Sequence, residues 1–194
     1  MLIKFTISIL KLLIMKKLFI AALAVLAFSF SNAQEDVASA TSEGTWLIEA
    51  NTGNAMLGST SFMFASSDGT SQYNLGLDGG YFVSDNLAVK AGLGFGGISP
   101  DGGDNASAFS YRLGAKYYLG GEFPIGVDLT GASGDAAENG AGETPLWLGL
   151  QGGYAWFIAD NIAIEPGLRY NLSLNEDFTD EGVFQFNIGF TIFL

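Results

Sequence analysis

Cysteine and histidine are both absent from the 194 residues. Without cysteine there is no disulfide, no thiol nucleophile and no thiolate metal site. Without histidine, the Ser-His-Asp kind of hydrolase loses its usual general base. Basic residues are also scarce, eight against twenty acids. Four of those eight precede Gln34 and every acid follows Ala33, so from Gln34 onward four bases face twenty acids, a net charge of −16. Such a chain does not seek nucleic acid or an anionic surface. Beyond Phe30 no apolar run approaches 18 residues, which excludes helical membrane spans. Helical periodicity is missing too, and 27 glycines with 13% aromatics point to an all-β chain whose backbones approach closely.

The N-terminus is of a different kind. Met1 to Phe30 carries four lysines and no acid. Met15-Lys16-Lys17 followed by the apolar run Leu18–Phe30 has the n- and h-regions of a secretory signal, and Ser31-Asn32-Ala33 supplies the small residues for a cut before Gln34. The h-region has 13 residues, short of the about 20 that a spanning helix needs. Met15 alone opens a complete signal, so the true start is as readily Met15 as Met1. We expect residues 1–33 as a signal peptide, 34–43 as a flexible lead-in and 44–194 as one domain.

Within that domain, alternation of apolar and polar residues recurs at the period of a strand. It is clearest at the C-terminus, where Phe184, Phe186, Ile188, Phe190, Ile192 and Leu194 share one parity, and Gln185, Asn187, Gly189 and Thr191 the other. Comparable segments are Tyr73–Tyr81, Leu87–Phe95, Phe109–Leu119, Phe123–Thr130, Leu146–Gln151 and Ile162–Ser173. Gly44–Ser66 is too long for one ordinary strand; it is either one long bent strand or a short plug segment followed by a strand. Ser67-Asp68-Gly69-Thr70 carries a hairpin signal. Short turns at 83–86, 120–122 and 158–161 alternate with longer loops at 98–107, 131–144 and 175–182. The pattern implies eight antiparallel strands with both termini at one end.

The strand-borne charges all fall on the polar parity: Lys90, Arg112, Lys116 and Arg169 with Glu49, Asp78, Asp128 and Glu165. A water-soluble barrel would turn this face outward and a membrane barrel would turn it into the lumen. All four bases lie in strands and none in loops, and the polar face is rich in glycine, as a crowded eight-strand lumen requires. Aromatics gather at strand ends (Tyr81, Phe82, Tyr117, Tyr118, Trp156, Phe157), where an interfacial girdle is expected. These features favour membrane over a lipocalin-like soluble binder.

The Phe184–Leu194 strand, the Gly80–Asn86 hairpin and its echo at Trp156–Asn161 resemble small bacterial outer-membrane β-barrels of the OmpX, OmpW and OmpA-barrel kind, over essentially all of 44–194. The resemblance implies an eight-stranded antiparallel up-and-down transmembrane β-barrel in the bacterial outer membrane. It implies an assembly signal in the last strand (Phe184, Phe186, Ile188, Phe190, Ile192, Leu194), with outer-membrane lipid and the barrel-assembly machinery as partners.

No catalytic residues, cofactor or metal site are expected. The acidic loops lack the spacing of a calcium motif, and Gly92–Gly97 lies in a strand with no helix after it, so it is no phosphate loop. The eight strand-borne charges are expected to pair and fill the lumen, with Glu165 compensating Arg169 if the two share a partner. The expected role is structural or surface-interacting, with no surface ligand specified by the residues. The rival is a narrow porin-like conduit for ions or small hydrophobic molecules, which needs an open lumen or a lateral gap between strands. Intact-mass measurement of the envelope-extracted protein should give a chain starting at Gln34; retention of Met15–Ala33 overturns the signal assignment.

Overall fold

A computed structural model describes residues 40–54, 57 and 59–194. The expected signal peptide and residues 34–39 of the lead-in lie outside the described residues. Residues 40–43 are held against the turn at 82–86: Thr41 donates through Oγ1 to Asn86 Oδ1 at 2.6 Å, and the Asn86 N–H returns to the Thr41 carbonyl at 2.7 Å. The expected flexibility therefore does not extend to this part of the lead-in.

Ten strands follow: β1 (Trp46–Thr52), β2 (Ser61–Ser67), β3 (Thr70–Ser84), β4 (Leu87–Pro100), β5 (Ala106–Leu119), β6 (Phe123–Ser133), β7 (Leu146–Gly153), β8 (Trp156–Ala159), β9 (Ile162–Ser173) and β10 (Val183–Phe193). Nine join edge to edge in the order β10-β1-β2-β3-β4-β5-β6-β7-β9, and β9 pairs back onto β10 to close the barrel. β8 stands outside this circuit, paired to β9. All pairings are antiparallel except the two-residue contact of β1 with β2. The count therefore departs from the expected eight, because two of the expected strands are interrupted.

Each interruption has a local cause. β7 and β8 share one register against β9, from Gly153 opposite Gly167 to Trp156 opposite Ile164. Between them the Tyr154 N–H donates to the Pro166 carbonyl at 3.1 Å, and Pro166 has no N–H to return. The other break is an insertion. Glu49 pairs with Asp78, and Met63 with Asn74. Fourteen residues of chain thus answer to four residues of β3, so ten are extra. The long stretch at 44–66 is neither a single bent strand nor a plug before a strand: it is two strands with an excursion between them.

Side chains alternate as the pleat demands. Along β3, Leu75 is 74% exposed and Leu77 51%, while Asp78 is fully buried. The outward set of every strand makes an uncharged belt of Leu, Phe, Tyr, Ile and Val around the barrel. At one end lie Thr41, Leu194 and the tight turns after Ser84, Leu119 and Ala159; at the other lie the longer connections Asp101–Asn105, Gly134–Pro145 and Leu174–Gly182. The hairpin at Asp68-Gly69 also sits there, both residues at positive φ as a type I′ turn requires. β1 and β10 close the ring where Trp46 and Leu194 exchange both backbone hydrogen bonds, at 3.1 and 2.8 Å.

Phe190 and Ile192 stand on the outward face of β10 within that closure. Replacing either by Asp puts a carboxylate into the apolar belt, at a cost of up to about 4 kcal/mol if the belt meets lipid. Loss of the compact, heat-modifiable band on a gel is expected; unchanged assembly would show that this face meets water.

Candidate functional site

The lumen is built from the inward residue of each strand pair. Six strands deliver charge to it: Glu49 from β1, Asp78 from β3, Lys90 from β4, Arg112 and Lys116 from β5, Asp128 from β6, and Glu165 and Arg169 from β9. All eight side chains are at most 7% exposed. The structure brings them into one chain of alternating sign. Glu165 pairs with Lys116, and Lys116 with Glu49 at 2.5 Å; Glu49 meets Lys90 at 2.8 Å, and Lys90 meets Asp78 at 3.2 Å. Asp78 pairs with Arg112 at 2.8 Å, and Arg112 reaches Asp128 at 3.7 Å. Arg169 ends the chain with a fork onto Asp128, both bonds at 2.6 Å.

Neutral groups satisfy the ends. Tyr118 donates its hydroxyl to Glu165 Oε1 at 2.9 Å, and Arg169 Nε donates to Asn171 Oδ1 at 2.7 Å. Glu49 also accepts from Asn51 Nδ2 at 2.6 Å, and Asp128 from the Thr130 hydroxyl at 2.7 Å. Glu165 and Arg169 share no partner: one belongs to Lys116, the other to Asp128. The compensating residue for Arg169 is therefore Asp128, not Glu165. A carboxylate engaged in this way is not free to act as a general base.

Glycines make the room. A Cβ on Gly149 would lie 2.0 Å from Arg169 Nη2, and one on Gly92 2.0 Å from Asp78 Oδ1. The glycine-rich polar parity of the strands is thus the complement of the long charged side chains facing it.

The excursion between β1 and β2 completes the packing. Ser59 and Thr60 are buried; the Thr60 hydroxyl donates to Asp78 Oδ1, and Arg112 Nη2 donates to Ser59 Oγ at 3.4 Å. Across the lumen, the Leu57 carbonyl accepts from Asn171 Nδ2 at 2.5 Å and from Gln185 Nε2 at 2.8 Å. Alternation groups Thr60 with the outward Phe62 and Phe64, but it precedes β2 and its side chain turns inward; Leu57 and Ser59 also lie outside any strand. Asn51, Asn171 and Thr130 lie on the polar parity, but no charge marks them as members of the network.

Apolar clusters lie toward both ends of the lumen. Near Leu194 and the tight turns, Leu47, Phe82, Tyr118, Ala155, Ala163 and Phe193 form an apolar floor, with Phe157 stacked on Phe193 at 5.4 Å. This corrects the expected girdle. Tyr81 and Trp156 do stand outside, but their neighbours Phe82 and Phe157 point inward, and so does Tyr118. Consecutive strand residues face opposite ways, so each aromatic pair sends one ring to each side. At the other end Ala108, Ala132, Ala136 and Ala137 pack as a roof. Small cavities remain among the described residues, of about 30 Å³ beside Met63, Asn74, Ile98 and Ala136 and about 20 Å³ beside Glu49, Asn51, Gln151 and Glu165.

Phe184, Phe186, Ile188, Phe190, Ile192 and Leu194 all lie on the outward face of β10, away from this network.

Removing one member of a dry ion-pair chain leaves its partner uncompensated, at a cost on the order of 3–5 kcal/mol. Arg169→Met should lower the free energy of urea unfolding by that amount, Asp128→Asn on the same chain should recover part of it, and Glu165→Gln should recover none. Recovery by Glu165→Gln equal to that by Asp128→Asn would overturn the pairing order.

No protein-family model matches the chain, and no curated protein sequence matches it. Among solved structures the chain is similar to the N-terminal β-barrel domain of Pseudomonas aeruginosa OprF (TM-score 0.45, 14% identity, 78% of this chain and 98% of that one). It is likewise similar to the Yersinia pestis outer membrane protein Ail (0.45, 15%, 78% and 100%) and to Neisserial surface protein A (0.41, 15%, 76% and 95%). The solved structures that it resembles are small outer-membrane β-barrels.

Proposed function

We propose that the chain is a small, non-enzymatic β-barrel of the bacterial outer membrane with a structural or surface-interaction role. The observation that carries this reading is the division of charge between the two faces. The outward belt of all the strands is apolar and uncharged, while every strand-borne charge is inside and paired. A chain bathed in water on its outside would leave this belt exposed, far beyond the patch that a soluble monomer carries. In lipid the same belt is the solvated face, and a closed sheet leaves few backbone groups unbonded. The chain of ion pairs, the aromatic floor and the alanine roof support a filled lumen over the rival conduit.

The partners in this reading are outer-membrane lipid around the belt and an assembly machinery that reads Phe184–Leu194. The ends differ in charge as well as length. The connections at the end away from the tight turns hold Asp68, Asp101, Asp104, Asp135, Glu138, Glu143, Glu176, Asp177, Asp180 and Glu181, with no base. This end faces outward in the reading offered here.

Two measurements test it. Fractionated envelopes should hold the protein in the outer membrane as a heat-modifiable band; recovery in the soluble fraction would overturn the membrane placement. Purified barrel in a planar bilayer should carry no steady current. Stable current steps whose ion selectivity changes in Arg169→Met, with little loss of stability, would establish the conduit instead.

A further inference from the structure

The split of the first strand does more than lengthen the chain. At the level of Asn51, β1 lies in the wall between β10 and β2, pairing Asn51 with Gly189 on one side and with Ser61 on the other. β1 then ends at Thr52, and the chain turns away at Gly53. Its neighbours continue: β10 runs on to Val183 and β2 to Ser67, each paired only on its far edge, with β9 and β3. Strands in a sheet lie about 4.8 Å apart, so these two edges are separated by about two spacings, the width of one absent strand.

The edge of β10 that faces this slot can be named. The Ile188 N–H points into it and donates to Thr52 Oγ1 at 2.9 Å. Alternation then aims the Phe186 and Phe184 backbone groups the same way, while those of Gln185 and Asn187 face β9. Among the described residues no backbone group bonds Phe184 or Phe186 on this edge. Behind the slot, the excursion bonds through Leu57, Ser59 and Thr60 to Gln185, Arg112 and Asp78, so an occupant would lie in the wall rather than enter the lumen.

We infer that this slot is a site for strand addition, and that it takes a short extended peptide with a cationic C-terminal end. The inference deepens the surface-interaction role proposed above and rests on it for which end faces outward. An open edge inside an apolar belt calls for hydrogen-bonding backbone. A lipid tail fills the width but supplies no donor or acceptor. The outward side chains beside the slot, Phe62, Phe64, Phe184 and Phe186, are all exposed and apolar, matching a strand that shows apolar residues outward. A guest continuing the direction of β1 is antiparallel to β10 and brings its C-terminus to the outer mouth. Asp68 flanks that mouth next to β2, and Asp180 and Glu181 flank it next to β10, with no base. A second copy of this chain would bring the same acids to the same place, so charge selects a cationic guest.

The full-length mature chain, refolded in phosphatidylcholine nanodiscs and in detergent micelles, serves for the test. The probe is a capped Thr-Val-Thr-Val-Thr-Lys-Lys peptide, and amide hydrogen exchange is read residue by residue. Without peptide, Phe184 and Phe186 should exchange faster than Gln185 and Asn187. With peptide they should slow by about tenfold or more, as an edge amide does once bonded. The same peptide N-methylated at alternate residues, or ending in two glutamates, should give no protection. Phe186→Pro should still fold, since that N–H does not serve β9, and should bind the peptide at least about tenfold more weakly, one lost hydrogen bond being worth roughly 1.5 kcal/mol. Phe184 and Phe186 amides already as slow as their neighbours without peptide would overturn the slot, and so would equal protection by the N-methylated peptide. Binding in micelles by a chain that fails to enter nanodiscs would leave the slot standing and overturn the membrane placement.

Discussion

A closed sheet with period-two side chains offers only two places for a charge, the belt and the lumen, and the belt of this barrel is uncharged. Eight ionic side chains therefore share a lumen that side chains must fill, where each unpaired charge would cost several kcal/mol. The alternating chain from Glu165 to Arg169 meets this constraint by giving every inner member two neighbours of opposite sign. Net charge inside is zero. The buried pairs do not thereby make the barrel more stable than an apolar filling would. They make the order of strands specific, because each link joins residues from different strands, and a slipped register would send its charge into the belt.

Filling follows from the same constraint. Lysine and arginine are long, and the lumen holds four of them, so the positions they cross must lack side chains. Gly149 under Arg169 and Gly80 beside Lys90 are two such positions. Glycine in a strand interior weakens the strand locally. Here the loss is offset by ladder hydrogen bonds on both edges of most strands and by the ion pairs that the space admits. The bases are exhausted in this task, which is why the loops hold acids alone.

How much of this was legible in the sequence depends on the range of each signal. Parity is local, so the facing of Lys90, Arg112, Lys116 and Arg169 could be read residue by residue. Which acid meets which base is not local: the pairing of Arg169 with Asp128 depends on the neighbour relations of β5, β6, β7 and β9 and on Gly149 leaving room between them. The strand count failed for two separate reasons. Pro166 removes a donor that belongs to the facing strand's ladder, so the break appears at Tyr154, twelve residues away. The insertion between β1 and β2 has an even number of residues, so Phe62 and Phe64 keep the outward parity of Trp46 and Ile48, and alternation alone cannot reveal the excursion. The aromatic pairs at strand ends suggest a girdle by position alone, whereas parity assigns one ring of each to the floor.

The even insertion also links the lumen to the wall. An odd number would have turned Phe62 and Phe64 inward and Met63 and Ala65 outward, breaking the belt at its first strand. With ten residues the belt is kept, and the surplus chain turns inward, where Ser59 and Thr60 add hydroxyls to the Arg112–Asp78 pair. The cost is borne in the wall. β2 re-enters one strand position away from β10 instead of beside it, because β1 still occupies that position at Asn51 and Thr52. One sequence feature, an insertion of fixed parity after Thr52, thus accounts for the seal over the ion pairs, the ninth strand of the circuit and the unbonded edge of β10.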